Sequence, residues 1–156
     1  MKEIKGNLIT LSKQAKFDVI GHGCNCFCTM GKGIAVDIKE NFIEAWAADQ
    51  ATEYADIKKL GSFTSADVIV HSEDDQPEVL TVINIYSQYH YNAKLKPLDY
   101  EALTLALRKI NFIHKNKSIG LPLIGAGLAG GNWERIKKII QTELKNMNVT
   151  IVHYEK

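Results

Sequence analysis

The stretch SIGLPLIGAGLAGGNWERIKKIIQTEL, residues 118–144, decides the fold. Its apolar start at 118–124 is short enough for a strand, and the glycines from Gly125 to Gly131 break the pattern. From Trp133 to Leu144, the residues Ile136, Ile139, Ile140 and Leu144 recur at helical spacing, while Glu134, Lys137, Lys138 and Glu143 fall toward water. A further β-rich run at 148–154 completes strand, glycine loop, helix, strand, the unit from which helix-covered parallel sheets are built. Working outward, similar short runs recur near 3–9, 17–22, 67–71 and 79–86, which makes six strands. Ile34, Ile38, Phe42 and Ala45 predict an amphipathic helix over 34–48. Leu103, Leu107 and Ile110, with Phe112 or Ile113, predict another over 100–113. A shorter helix is expected over 49–58, and the acidic, proline-containing stretch 73–78 reads as a solvated loop between two strands. The expected fold is α/β, a mixed, mostly parallel six-stranded sheet with helices on both faces.

At 156 residues the chain has the size of one domain spanning 1–156, without linker, repeat or low-complexity segment. Apolar residues at 46% and charged residues at 24% exclude a disordered chain or a disulfide miniature. A net charge of +1 is too small to steer the whole molecule to nucleic acid or an anionic membrane, so anion binding must be local. No apolar run approaches the roughly 20 residues of a membrane helix, and the N-terminus is no signal peptide, so a cytoplasmic protein is expected. Cys24, Cys26 and Cys28 are too crowded for a framework of cross-links and read as reduced thiols. With His22 they form His-x-Cys-x-Cys-x-Cys, but structural zinc sites take paired ligands from separated segments, and small fillers beneath a loop are the expectation.

Ligands of open α/β sheets lie outside the carboxyl ends of the strands, where two loops stand out, Gly21 to Gly33 and Gly125 to Gly131. The second satisfies G-x-G-x-x-G, yet only one helix and one strand follow it, which is not the setting of a dinucleotide fingerprint. The first contains Gly31-Lys32-Gly33 but lacks Walker spacing. Glycines let backbone N–H groups approach a ligand, and a helix N-terminus favours an anion. Two such loops, each opening onto a helix at one sheet edge, point to a diphosphate between them.

Asn25, followed by Gly31-Lys32-Gly33-Ile34-Ala35, resembles the macrodomain signature. Lys5-Gly6-Asn7-Leu8-Ile9-Thr10 is similar to that family's opening segment, and Pro122 to Gly130 to its second phosphate loop. The resemblance covers nearly the whole chain. His22-Gly23-Cys24-Asn25-Cys26 and the late Gly-Gly-Asn-Trp are closest to the small macrodomains of yeast and bacteriophage type, which remove phosphate from ADP-ribose 1″-phosphate.

The resemblance implies a three-layer α/β/α fold and an ADP-ribose ligand. Gly31, Lys32, Gly33, Ile34 and Ala35 would wrap the diphosphate and distal ribose together with Gly125, Ala126, Gly127, Leu128, Ala129 and Gly130. Asn25 would hold that ribose, with adenine near the first two strands, by Asn7 and Leu8. Asn7 replaces the family's aspartate, and Asp18 or a backbone group would stand in for it. His22, at the expected pocket mouth, is the candidate acid or base, with a strand-end cap as its alternative; Asn25 orients ribose or water. Tyr86 to Tyr91 would cover the distal end, and Trp46 and Trp133 would anchor helices. The implied activity is metal-independent, cofactor-free hydrolysis of ADP-ribose 1″-phosphate by a monomer. The alternatives are a non-catalytic reader of ADP-ribose or ADP-ribosylated protein, and a hydrolase of ester-linked ADP-ribose. For the last, a related subgroup uses a lysine just after the fourth strand and an aspartate in the second loop, and here Ile85, Tyr86 and Ala129 stand in those neighbourhoods, so the covalent lysine mechanism is missing.

Overall fold

The computed structural model describes residues 1–95 and 98–156. Its strands are β1 (Lys2–Gly6), β2 (Val19–Cys24), β3 (Phe63–His71), β4 (Pro77–Tyr86), β5 (Ser118–Leu121) and β6 (Asn148–Tyr154). They form one six-stranded sheet in the order β1-β6-β5-β2-β4-β3. Every neighbouring pair is parallel except β3 with β4, which are antiparallel. The helices are α1 (Leu8–Lys13), α2 (Ile34–Asn41), α3 (Ile43–Gln50), α4 (Tyr100–Ile113) and α5 (Trp133–Glu143).

Strand alternation divides the apolar residues between two cores. Ile20, Leu80, Val82 and Tyr86 pack with Leu8 and Ile9 of α1, Ile38 of α2 and Ala45 of α3. Val19, Ile83, Ile85, Ile119 and Ile151 pack with Leu103, Leu107 and Ile110 of α4 and Ile136 and Ile140 of α5. Central strands are therefore apolar on both faces, as the continuous runs in the sequence require. A fully buried leucine such as Leu107 contributes roughly 1.5–3 kcal/mol by leaving water. Trp46 and Trp133 pack at the margins of the two cores.

The architecture is the expected one; several boundaries are not. The run at 3–9 is a strand and then a helix, because the Asn7 side chain accepts the amides of Ile9 (3.0 Å) and Thr10 (3.2 Å) and starts α1. The helix expected over 34–48 is two, broken at Phe42, whose backbone leaves the helical region at φ −133°, ψ 71°. No separate helix forms over 49–58: residues 49 and 50 are the end of α3, and a single 3-10 turn, Ile57–Lys59, follows after a stretch of turns. β3 begins at Phe63, and β5 stops at Leu121, ahead of Pro122. Phe112 and Ile113 do not face inward; they are 72% and 58% exposed. No helix among the described residues is long and apolar enough to cross a membrane.

Candidate functional site

Because β1, β6, β5, β2 and β4 run parallel, their carboxyl ends share one sheet edge, and the loops after β2 and β5 leave it side by side. They meet over a cleft of about 480 Å³. A Cβ placed on Gly33 would come within 3.8 Å of Leu128 in the opposite loop. Among residues expected at the ligand, Asn25, Gly31, Lys32, Gly33, Ile34, Ala35, Gly125, Gly127, Leu128 and Ala129 line this cleft. Cys24, Thr29, Gln88 and Tyr91 line it as well.

The first loop is shaped by Asn25. Its Oδ1 accepts the Phe27 amide at 2.8 Å, and its Nδ2 donates to the Thr29 hydroxyl at 2.7 Å and the Thr29 carbonyl at 3.3 Å. One acceptor position on Oδ1 is left for a ligand, and the Thr29 hydroxyl keeps its proton to donate. The loop then enters α2 through Gly33 at φ 61°, ψ −145°, a backbone that glycine adopts without penalty. No side chain caps α2, so its first-turn amides, at Ile34 and Ala35 on the cleft wall, are presented to whatever occupies it. The titratable side chains on the wall are Cys24, Lys32 and Tyr91. Burial holds the Cys24 thiol well above its usual range, so it is neutral and Lys32 carries the formal charge. The arrangement suits an anion held by backbone donors.

The second loop contributes differently from expectation. Asn132 caps α5, accepting the Arg135 amide at 3.1 Å, so one first-turn amide of this helix is already taken, and the residues of the second loop that reach the cleft stand ahead of the cap. Ala126 and Gly130 belong to the loop but not to the cleft wall.

Three further expectations are corrected. His22 does not stand at a pocket mouth. β2 continues to Cys24, and alternation turns His22 into the α1–α3 core, fully buried, with Nε2 2.7 Å from Asn84 Oδ1. Asn84 in turn donates to the Ala45 carbonyl and the Thr64 hydroxyl. Burial lowers the His22 pKa to about 4, so the ring is neutral and ties β2 to β4 and α3. Asn7 and Leu8 also lie off the cleft, Asn7 engaged as a cap and Leu8 in the core. Asp18 sits at the opposite, amino end of β2, where it accepts the Ser118 amide at 2.9 Å.

The three thiols diverge. Cys24 lies 3.5 Å from His22 Nε2, Cys26 points to the Gln88 carbonyl, and Cys28 to Thr52 and Asp49. Of the segment 86–91, Gln88 and Tyr91 reach the cleft, while Tyr86 is buried and donates to Asp49 at 2.8 Å. Beyond Tyr91, Phe27 packs edge-on against Tyr54, Tyr89, His90 and Tyr91 in an aromatic cluster at the rim. Thr29 was not legible as a site residue; its only sequence signal is its place four residues after Asn25.

No protein-family model matches the chain. It is 33% identical over 160 residues to an uncharacterized 17.5 kDa protein from the tk–vs intergenic region of Enterobacteria phage T4, covering 99% of this chain and 97% of that one. It is 27% identical over 175 residues to an ADP-ribose 1″-phosphate phosphatase of Debaryomyces hansenii, covering 97% of each. With a DNA ADP-ribosyl glycohydrolase of Mycobacterium tuberculosis it shares 26% identity over 137 residues, 85% of this chain but 35% of that protein. Among solved structures it superposes on the macrodomain of Mycobacterium tuberculosis DarG with a TM-score of 0.66 at 20% identity, covering 100% and 99% of the two chains. Thermosipho africanus DarTG in complex with ADP-ribose gives 0.70 at 17% identity, covering 99% of this chain and 42% of that one. The sheet order, the two glycine loops over one cleft and these superpositions agree: the chain has the macrodomain fold.

Proposed function

We propose that the cleft binds ADP-ribose and hydrolyses the terminal phosphate of ADP-ribose 1″-phosphate. The observation that carries the reading is the uncapped N-terminus of α2 facing the backbone of the second glycine loop across one cleft. Backbone donors on both sides suit a diphosphate, and the volume of about 480 Å³ lies within the range of small-molecule sites. The name of the Debaryomyces relative supports the phosphatase; hydrolysis of ADP-ribose derivatives is common to it and the mycobacterial relative.

The chemistry rests on alignment. A water attacks phosphorus in line, the bond to the ribose 1″ oxygen breaks, and inorganic phosphate leaves. The water's proton goes to the phosphate and the ribose oxygen takes one from solvent. Loop amides stabilise the charge on the equatorial oxygens. Asn25 and the Thr29 hydroxyl hold the ribose and the water. His22 takes no direct part, since its ring is buried away from the cleft wall. Among the described residues no carboxylate or imidazole lines the cleft to take the water's proton, so turnover is expected to be slow.

The test is incubation with ADP-ribose 1″-phosphate and measurement of released phosphate. Catalytic release supports the phosphatase; a stoichiometric complex without release leaves a reader. The rim cluster around Phe27 favours a second reading, in which the ADP-ribose is still attached to a larger group that rests on those rings. Loss of label from ADP-ribosylated DNA or protein, with no phosphate released from the small substrate, would establish that reading instead.

A further inference from the structure

Ser87 directly follows β4 and is completely buried, and its hydroxyl has no hydrogen-bond partner among the described residues. Its main chain is satisfied, the amide donating to Ile85 and the carbonyl accepting from Asp99. The hydroxyl alone is left, and a buried polar group without a partner requires an explanation. A Cβ added to Gly23 would lie 3.0 Å from Ser87 Oγ and 3.4 Å from Ile124 Cγ1, and Gly23 and Ile124 both line the cleft. The hydroxyl therefore stands one glycine behind the wall, and the space before it is the space that a side chain at position 23 would fill. The neighbouring Gln88 lines the cleft, and Gly23 is two residues from Asn25.

We propose that Ser87 is a positioning residue whose hydroxyl reaches past Gly23 to an oxygen of the ligand's distal ribose. The inference rests on the reading of the cleft as an ADP-ribose site. It accounts for the orphaned hydroxyl, which is partnered only in the complex, and for a glycine at position 23, where any side chain would come between the two. A hydroxyl can both donate and accept by rotating, so it serves a sugar oxygen in either sense.

The experiment compares wild type with Ser87→Ala in binding ADP-ribose and ADP, and in melting temperature without ligand. ADP keeps the diphosphate and lacks the distal ribose. The expected result is ADP-ribose affinity lowered about five- to tenfold, as for a typical net hydrogen bond. ADP affinity should be unchanged, and the ligand-free protein should melt at or above the wild-type temperature, because no bond was lost from it. Equal losses for both ligands, or no loss for ADP-ribose, overturn the proposal. So does a fall in the ligand-free melting temperature, which would show the hydroxyl already partnered in the free protein. Wild type that binds ADP-ribose while Ser87→Ala binds it equally well removes this inference alone; wild type that fails to bind it removes the reading beneath.

Discussion

The loop after β2 and the loop after β5 face each other across the cleft, yet they are held in shape by different means. The first is braced by side chains. Asn25 bonds Phe27 and Thr29, Gln50 donates to the Cys28 carbonyl at 2.8 Å, and Phe27 is ringed by four aromatic neighbours. The second is braced by its own backbone. Ala126 donates to Leu123, Gly130 to Gly127 and Gly131 to Gly125, with φ of 74° at Gly125 and 73° at Gly130. A loop fixed by side chains fails when one of them is removed, whereas a loop fixed by backbone fails when one is added.

Gly131→Ala is the harshest trial of that contrast. Its Cβ would meet the Gly125 carbonyl at 2.6 Å, a backbone atom that cannot swing aside, besides Leu98 and Ile136. We expect a loss of about 3 kcal/mol or more, at the upper end of overpacking costs, read as a fall of roughly 10 °C in melting temperature. A variant within about 1 kcal/mol of wild type would show that the second loop can yield after all.

Acid tests the foundation of the first loop, which hangs from β2 just beyond His22. The His22 pKa is lowered by burial from 6.5 in the unfolded chain to about 4 in the folded one. Between these values the unfolded chain binds the extra proton, so stability falls as pH drops from about 6.5 to 4. The loss should reach up to about 3 kcal/mol, measured by denaturant unfolding at a series of pH values. His22→Gln should flatten the slope in that window; an unchanged slope would place the acid sensitivity elsewhere.

Removal of a brace is the milder case. Asn25→Ala deletes the bonds to Phe27 and Thr29 and should cost about 1–2 kcal/mol of stability. Affinity for ADP-ribose should fall at least tenfold, because the loop that carries Ile34 and Ala35 to the cleft loses its shape. Calorimetric titration together with thermal melting separates the two effects.

The same division explains what could be read in advance. The limits of α4 and the course of α5 were legible because long amphipathic periods dominate their neighbourhoods, and the glycine loops because nothing else in the chain resembles them. His22 was misplaced because Gly21 and Gly23 interrupt the apolar run, so the strand seemed to end at residue 22. Two more residues of strand turn that imidazole from the mouth into the core. The break at Phe42 was hidden because Phe42 is itself buried and Ile38 and Ala45 stay buried on either side of it, preserving the spacing. Thr29 and Gln88 enter the cleft through folding of the loop and pairing of distant strands, which no local pattern encodes.

The smallest effect separates fold from function most cleanly. Gly127 lines the cleft, has no left-handed backbone, and a Cβ there would meet no atom within 4 Å. Gly127→Ala should therefore leave stability unchanged or raise it by about 0.4–1 kcal/mol, since alanine restricts the unfolded chain more than glycine does. The added methyl would nevertheless occupy space on the ligand side of the wall, so ADP-ribose should bind several-fold more weakly to a protein that melts no lower. Weaker binding without destabilisation would show that this glycine serves the ligand, while Gly131 serves the fold. Unchanged affinity would mean that the diphosphate does not approach the backbone of the second loop at Gly127.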